Sequence, residues 1–408
     1  MTLSVAEGRI VWYNVARRKS PHETSALLLS FIPFDTMTTE AYHPGLEGVI
    51  AGETAISTIE GGLQYRGYSI ADLAEHSTFL EVAYLLLHGK LPSEEELADF
   101  LAIYSESAEV DDSIIQFLRH IPLHVGAMDV LRTGISAISH FDPQLDDDSE
   151  GGNIAKAIRM LAQIPILIAA RYRLSLGMEL IEPDPDLSFA ANILYMISGK
   201  RPSERRERAM DVSLILYAEH EFNASTFTAR VVTSTQSDIY SAIVAAVGAL
   251  KGPLHGGANE RVMEVLEEVG SPDNAEVWIR DALAKKRRIM GFGHRVYKTG
   301  DPRAVILKRY CGELAEKTRN LELEKMADVI EGIVVEEKGL PPNLDWPSAR
   351  LYHYLGLDVE LYTPLFVASR VSGWAAHAIE QSANNRLIRP RSRYTGPTGQ
   401  RFLPISGR

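Results

Sequence analysis

Three histidines and one aspartate occur where polar residues interrupt apolar helical sequence. His220 follows the run "SLILYAE", His255 lies in "GPLHGG", His294 in "GFGHRV" and Asp345 in "NLDW". Histidine and carboxylate side chains are the usual proton carriers in catalysis. The leucine and tryptophan beside Asp345 disfavour its charged form, which makes it a better base. These four residues are candidates for acid–base chemistry, although each alone also fits a capped helix end or a plain turn.

The stretch "IMGFGHRVYKTGDPR" (289–303) combines flexible backbone with positive charge. Gly291 and Gly293 permit backbone conformations that turn N–H groups toward a ligand. They do not form a dinucleotide fingerprint, because a third glycine and a preceding strand are missing. Arg303 follows Pro302 at a helix start, where the helix dipole disfavours a cation. We therefore interpret Arg303 as a ligand-binding residue.

Helices must position these residues, because the chain reads as helical from about residue 65 onwards. The segment "PSEEELADFLAIY" (92–104) begins with a capping box, and "FLEVAYLLLHGKLP" (79–92) ends at Gly89. The segment "NIAKAIRMLAQIPILIAARYRL" (153–174) predicts a helix buried between others. A stretch near 48–66 predicts a small hairpin. The sequence therefore predicts a mainly α fold.

Composition excludes several classes of partner. The chain has 408 residues, enough for a large domain plus a smaller one, and a formal net charge of −12. Nucleic acid and anionic membranes need a basic face, so neither is expected as the main partner. No run reaches the ~18 apolar residues of a membrane helix. The one cysteine, Cys311, is compatible with a reducing cytoplasm.

The N-terminus has a faint resemblance to a signal peptide. Arg17, Arg18 and Lys19 precede "ALLLSFIPF" (26–34), but no cleavage site follows cleanly. We interpret this region as a loosely attached extension, or as sequence upstream of a functional start at Met37. The chain also lacks a Walker loop, H-E-x-x-H, a G-x-S-x-G elbow and any metal-ligand spacing of cysteine or histidine.

Longer segments around the candidate residues resemble the citrate synthase family. They are, in order, "AEHEFNAST", "GPLHGGANE", "GFGHRVYKTGDPR", "PNLDW", "TPLFVASRVSGW" and "NRLIRPRSRYTGP". The similarity runs from about residue 43 to the C-terminus. It implies a large helical domain at 41–256 and 356–408, a small domain inserted at 257–355, and an extension of unknown role at 1–40. It also implies a homodimer.

The resemblance implies an acyltransferase that joins the methyl carbon of acetyl-CoA to the ketone of oxaloacetate and hydrolyses the citryl-CoA to citrate and CoA. By position, Asp345 matches the base, and His255 matches the donor that stabilises the enol or enolate. His294 matches the group that polarises the ketone, and His220 matches an oxaloacetate ligand. The resemblance also implies that Ser225 orients His255.

The same resemblance assigns residues to the carboxylates and to CoA. Arg303, Arg370 and Arg389 match carboxylate-binding arginines, and Arg389 would come from the other subunit. The positions expected along CoA are Met290, Gly291, Gly293 and Lys298. Acyl-CoA would be a co-substrate, with no metal and no permanently bound cofactor. The expected location is the cytoplasm.

Two alternatives remain open at the level of sequence. The motifs "AEHEFNASTFTARV", "NLDW" and "GWAAHAIEQ" look as much like 2-methylcitrate synthases, which use propionyl-CoA. The motifs "GHRVYKTGDPR" and "NRLIRPR" resemble ordinary citrate synthases more, and both activities can coexist. One methylene changes discrimination by only ~1–3 kcal/mol, so few side chains could decide between them. A non-catalytic CoA- or dicarboxylate-binding relative is the alternative outside enzymes.

Overall fold

The computed structural model describes residues 2–6, 9–13, 42–294, 296–297 and 300–408, the first two ranges by their backbone alone. The chain divides into two compact units, Met1–Glu53 and Thr54–Arg408. In the first, β1 (Thr2–Ala6) pairs antiparallel with β2 (Arg9–Tyr13), with Thr2 opposite Tyr13. Residues 17–34 and Met37 lie outside the described residues. The role of residues 1–40 stays a prediction.

Helices form nearly all of the regular structure in the second unit, which confirms the mainly α prediction. The helices are α1 (Ile70–His76), α2 (Phe79–His88), α3 (Glu94–Glu106), α4 (Asp112–His120), α5 (Ala127–Ile138), α6 (Glu150–Ser175), α7 (Phe189–Ser198), α8 (Glu204–Tyr217), α9 (Ala224–Thr233), α10 (Ile239–Leu250), α11 (Ala258–Val269), α12 (Pro272–Ala284), α13 (Pro302–Thr318), α14 (Leu321–Lys338), α15 (Asp345–Tyr354) and α16 (Tyr362–Ala383). Strands β3 (Ser57–Thr58), β4 (Gln64–Tyr65) and β5 (Tyr68–Ser69) form an antiparallel sheet, so the predicted hairpin gains a third strand.

Helix ends follow the capping signals in the sequence. The Ser93 hydroxyl accepts from the Glu96 N–H at 3.2 Å, and the Glu96 carboxylate accepts from the Ser93 N–H at 2.9 Å. This reciprocal pair satisfies N–H groups that have no partner within α3. Helix α2 ends at Gly89, whose φ of 80° is the left-handed value that glycine adopts without strain. Both predicted boundaries are confirmed.

Helix α6 is the predicted buried helix, and it is longer than expected. Its 26 residues include Pro165 and contain a window long and apolar enough to cross a membrane, which the sequence reading missed. Most of that window, 78%, is buried inside the protein. The same length and composition occur in core helices of water-soluble folds.

Two groups of packed helices surround the candidate residues. Helix α16 is buried along almost its whole length and packs against α2, α6, α8, α9 and α10. Helices α11 to α15 pack mainly on one another and contact the other helices through α13 against α8 and α1 and through α11 against α16. These groups overlap the large and small domains expected from sequence, and that division stays a prediction.

Candidate active site

The four candidate segments converge on one cavity of about 390 Å³. Six of the residues predicted from sequence line it: His220, His255, His294, Arg303, Asp345 and Arg370. A larger cavity of about 830 Å³, lined by residues of α2, α3, α7 and α8, contains none of them. Convergent polar groups identify a reactive site better than volume does, so the smaller cavity is the candidate active site.

Asp345 is the first residue of α15, where the helix N-terminus favours a negative charge. The Asn343 side chain accepts from the Asp345 N–H at 3.0 Å and fixes the start of the helix. The Tyr217 hydroxyl donates to Asp345 Oδ1 at 2.9 Å. Burial raises the pKa of the Asp345 carboxyl to about 6, although the Tyr217 bond and Arg303 favour its charged form. It can therefore accept a proton near neutral pH.

His255 lies in the break between α10 and α11. Its Nε2 is 2.8 Å from Ser225 Oγ and accepts from the Ser225 N–H at 3.3 Å. A backbone N–H can only donate, so Nε2 carries no proton and the neutral ring has its hydrogen on Nδ1. Burial, aided by Arg370, lowers the pKa of His255 to about 4. His255 is thus a neutral hydrogen-bond donor, and Ser225 orients it.

His294 and His220 face each other with ring centroids 5.1 Å apart. His294 Nδ1 accepts from the N–H groups of Val296 and Tyr297 at 3.1 and 3.3 Å, which places the hydrogen of the neutral ring on Nε2. His220 Nε2 lies 3.1 Å from the Tyr297 hydroxyl. Burial, with Arg303 and His294, lowers the pKa of His220 well below its usual range. His220 is therefore neutral at physiological pH.

Arg303 has a partner that the sequence reading did not identify. Its Nε and Nη2 donate to the carboxylate of Asp301 at 3.0 and 2.8 Å. Asp301 also accepts from the Leu344 N–H at 3.2 Å, next to Asp345. The Arg303 charge lowers the pKa of Asp301 below its usual range, against the effect of burial. The cation at this helix start is thus balanced by the N-cap residue, two positions earlier.

Arg370 is buried in α16 and faces the cavity. Its guanidinium lies over the Phe366 ring, 4.6 Å from the centroid, and its Nε donates to the Tyr217 carbonyl. Within the described part of the chain, its terminal NH₂ groups make no hydrogen bond. Burial lowers the pKa of Arg370 to about 10, and the charge of Glu219 opposes that shift. A buried guanidinium with free donors is suited to a carboxylate ligand.

A buried acid–base pair behind His220 was missed by sequence reasoning. Glu219 Oε1 lies 2.9 Å from His377 Nε2 and accepts from the Ser57 hydroxyl at 3.0 Å. His377 Nδ1 is 3.0 Å from an Nη of Arg230. Charge and a hydrogen bond from His377 hold the pKa of Glu219 below its usual range despite burial. The motif "GWAAHAIEQ" contained the signal, because a histidine in an otherwise apolar run of a buried helix requires a polar partner.

The loop that contains Gly291 and Gly293 packs on the segment before Asp345. The Gly293 N–H donates to the Pro341 carbonyl at 2.8 Å, and the Gly291 carbonyl accepts from the Asn343 N–H at 2.9 Å. A side chain at Gly291 would come within 2.9 Å of Val262 and 3.0 Å of the Trp346 ring, and its φ of 86° is left-handed. These glycines therefore brace the start of α15.

The remaining predicted positions lie apart from the cavity lining. Met290 is half-buried beside Gly291, and neither residue lines the cavity. Lys298 lies outside the described residues. Arg389 is exposed beyond the end of α16 and does not line the cavity of its own chain. Among the described residues, no group of three or more histidine, cysteine or acidic side chains has a metal-binding arrangement.

Comparison with known proteins gives one consistent result. The sequence matches the family model "Citrate synthase, C-terminal domain" over residues 45–391. It is 50% identical to citrate synthase 2 of Bacillus subtilis over 366 residues, 89% of this chain and 98% of the relative. It is 46% identical to 2-methylcitrate synthase of Mycobacterium tuberculosis over 366 residues, 88% of this chain and 92% of the relative.

A solved structure with the same fold contains a coenzyme A derivative together with oxaloacetate. It is the ternary complex of carboxymethyl coenzyme A and oxaloacetate with citrate synthase from the archaeon Thermoplasma acidophilum. The TM-score is 0.86 at 36% sequence identity, and the match covers 90% of this chain and 100% of that one.

Proposed function

Because the chain belongs to the citrate synthase family and is an enzyme of the acyltransferase type, we propose that it condenses acetyl-CoA with oxaloacetate and hydrolyses the product to citrate and CoA. The main support for this proposal is the set of groups that line the cavity. A carboxylate with a pKa of about 6, a neutral histidine donor with a pKa of about 4 and a buried arginine line a single cavity.

Asp345 would remove a proton from the methyl carbon of the acyl group. That carbon is a weak acid, so the base needs a donor at the thioester oxygen to stabilise the enol or enolate. His255 would supply it through Nδ1–H, because Ser225 occupies Nε2. A neutral imidazole suits this step, since it donates without attracting the proton that Asp345 must take.

Oxaloacetate would lie between the histidine pair and the arginines. His294 would donate through Nε2 to the ketone oxygen and protonate the alkoxide as the carbon–carbon bond forms. His220 would bind the same substrate. Arg370 offers free donors to a carboxylate, whereas Arg303 would share its guanidinium between Asp301 and the ligand.

The site would be completed by a second copy of the chain. Arg389 does not line the cavity of its own chain, and we assign it to the cavity of the other protomer in a cytoplasmic homodimer. Met290, Gly291, Gly293 and Lys298 would follow bound CoA. Closure of the small domain would exclude water until the new bond has formed.

The proposed reaction also requires a choice between acetyl-CoA and propionyl-CoA as the acyl donor. Relatives named citrate synthase and 2-methylcitrate synthase have similar identities, 50% and 46%, so overall similarity does not separate them. We propose acetyl-CoA as the main substrate and propionyl-CoA as the alternative.

Release of free CoA, followed with a thiol reagent, tests both the proposed reaction and the choice of acyl-CoA. Purified protein would receive oxaloacetate with acetyl-, propionyl- or butyryl-CoA in parallel. We expect the highest kcat/KM with acetyl-CoA. A higher kcat/KM with propionyl-CoA would make the protein a 2-methylcitrate synthase. No release with any of the three would overturn the proposed reaction.

A further inference from the structure

Tyr217, the last residue of α8, contacts two of the proposed site residues at once. Its hydroxyl donates to Asp345 Oδ1 at 2.9 Å, and its carbonyl accepts from the Nε of Arg370. Its ring is buried against Phe366, with centroids 4.4 Å apart. We propose that Tyr217 is a positioning residue that holds the Asp345 carboxylate in its proton-accepting orientation, an inference that rests on the proposed function of Asp345.

The hydrogen bonds around the phenol run in one direction. An ionised carboxylate can only accept, so Tyr217 donates its single hydrogen to Asp345. Ser348 Oγ lies 2.7 Å from the same phenol oxygen and 3.3 Å from the Asp345 carbonyl, and we assign its single hydrogen to the closer phenol oxygen. Burial raises the pKa of Tyr217 well above its usual range, so the phenol keeps its proton throughout the working pH range. Ser348, Tyr217 and Asp345 form a chain that ends on the carboxylate.

This chain leaves the second carboxylate oxygen for the substrate. Oδ1 is occupied by Tyr217, whereas Oδ2 makes no hydrogen bond to any residue within the described ranges. Because the phenol bonds the charged form, it also favours ionisation and offsets part of the effect of burial. Tyr217 would thus fix both the direction and the protonation state of the base.

Other charged and titratable groups also act on Asp345. Arg303 and Arg370 favour its ionised form, and Asp301 opposes it. The other titratable groups that line the cavity or interact with Asp345 are Tyr352, His220, Glu221, His255 and His294. All of them remain when only the Tyr217 hydroxyl is removed, so a change in the pH profile of such a variant reports the phenol bond.

Replacement of Tyr217 by phenylalanine is the test, because it keeps the ring and removes one hydroxyl. At saturating substrates we expect kcat to fall roughly 10- to 100-fold, the size of one hydrogen bond to a charged group. The KM for oxaloacetate should change by no more than about twofold, since the Tyr217 carbonyl still holds Arg370. The acidic limb of the rate profile should move up by about one pH unit.

Tyr352→Phe is the matched control. Tyr352 is equally buried, and its hydroxyl accepts from Ser213 Oγ at 3.0 Å instead of bonding Asp345. This variant should keep the wild-type acidic limb. Equal shifts and losses in both variants, or an unshifted limb in Y217F, would overturn the proposal.

A second substitution covers failure of Y217F to fold. Ser348→Ala removes the donor to the phenol, and we expect a smaller shift of the acidic limb in the same direction. An unshifted limb in S348A would count against the chain. If the wild-type enzyme released no CoA at all, the proposed function would fail, whereas an active wild type with an unaffected Y217F would overturn the positioning role alone.

Discussion

At the scale of single residues, burial has opposite effects on acids and bases in the cavity. It raises the pKa of Asp345 to about 6 and lowers that of His255 to about 4. Desolvation disfavours whichever form is charged, so the carboxyl becomes a better base and the imidazole stays neutral. Burial in the same cavity therefore makes Asp345 a better base and keeps His255 a neutral hydrogen-bond donor.

The pH dependence of activity follows from these shifts. Asp345 must be ionised to accept a proton, so kcat/KM for acyl-CoA should fall as the pH drops through about 6. His255 should cause no loss above pH 5, because it gains a proton only near pH 4. Initial rates between pH 4.5 and 9 in a constant-ionic-strength buffer would measure the profile. A rate that stays level down to pH 5 would contradict the assignment of Asp345.

The free donors of Arg370 predict that this residue determines the affinity for oxaloacetate. Arg370→Lys keeps one positive charge but loses the planar fork, so the KM for oxaloacetate should rise roughly 10- to 100-fold. Arg171→Lys is the control, because Arg171 is also buried but donates to the carbonyls of Pro122, Leu123 and Val125. Steady-state kinetics should show a KM close to wild type in R171K. Equal KM values in R370K and wild type would exclude a carboxylate-binding role.

At the scale of elements, Gly373 allows α16 to pack closely against the end of α8. This close packing places Arg370 and His377 beside that end. A side chain at Gly373 would come within 2.3 Å of the Ala218 carbonyl and 2.4 Å of Glu219 Oε2. The helix can therefore pass this close to the segment before His220 only without a side chain at residue 373.

Gly373→Ala should destabilise the protein and weaken oxaloacetate binding. We expect the free energy of unfolding to fall by about 1–3 kcal/mol from overpacking. Gly332→Ala in α14 is the control, because nothing lies within 4 Å of the added methyl group. There the gain in helix propensity should stabilise by up to about 1 kcal/mol. Denaturant unfolding of both variants compares them, and a G373A protein as stable as G332A would refute the close approach.

Local structure was predictable from sequence where the signal lies within a few residues. The capping box of Ser93 and Glu96 and the glycine stop at Gly89 involve neighbours only, so both helix ends were correct. The partners of buried charges were not all predictable. Glu219 meets His377, which lies 158 positions further along the chain. Such pairs depend on how helices pack, which single-segment patterns do not contain.

At the scale of the whole molecule, the cavity joins segments from residue 217 to residue 370. Their convergence followed from the resemblance to a family and not from periodicity, because each histidine alone also fits a turn or a helix cap. Asp301 was missed as the partner of Arg303, although it stands two positions away, because the motif was interpreted as a ligand site. A cation at a helix start is disfavoured by the helix dipole, so a nearby carboxylate such as Asp301 is the expected partner.

The proposed homodimer predicts that two inactive variants restore each other. D345N lacks the base and R389A lacks the arginine assigned to the partner's site, so each alone should be inactive. In a mixed dimer, one site would contain both intact residues. Co-expression with two affinity tags should recover about a quarter of wild-type activity in an unfractionated mixture of equal chains. Recovery of none, with mixed dimers present, would place Arg389 outside the partner's site.

In the proposed reaction, Asp345 removes the proton from the acyl carbon. The direct measurement is CoA release by D345N from acetyl-CoA and oxaloacetate, together with calorimetric titration of the same protein with oxaloacetate. The rate should fall by about 10²- to 10⁴-fold, the contribution of a positioned base, while the affinity for oxaloacetate stays within about threefold of wild type. A D345N enzyme that binds oxaloacetate normally and turns over at the wild-type rate would contradict the claim.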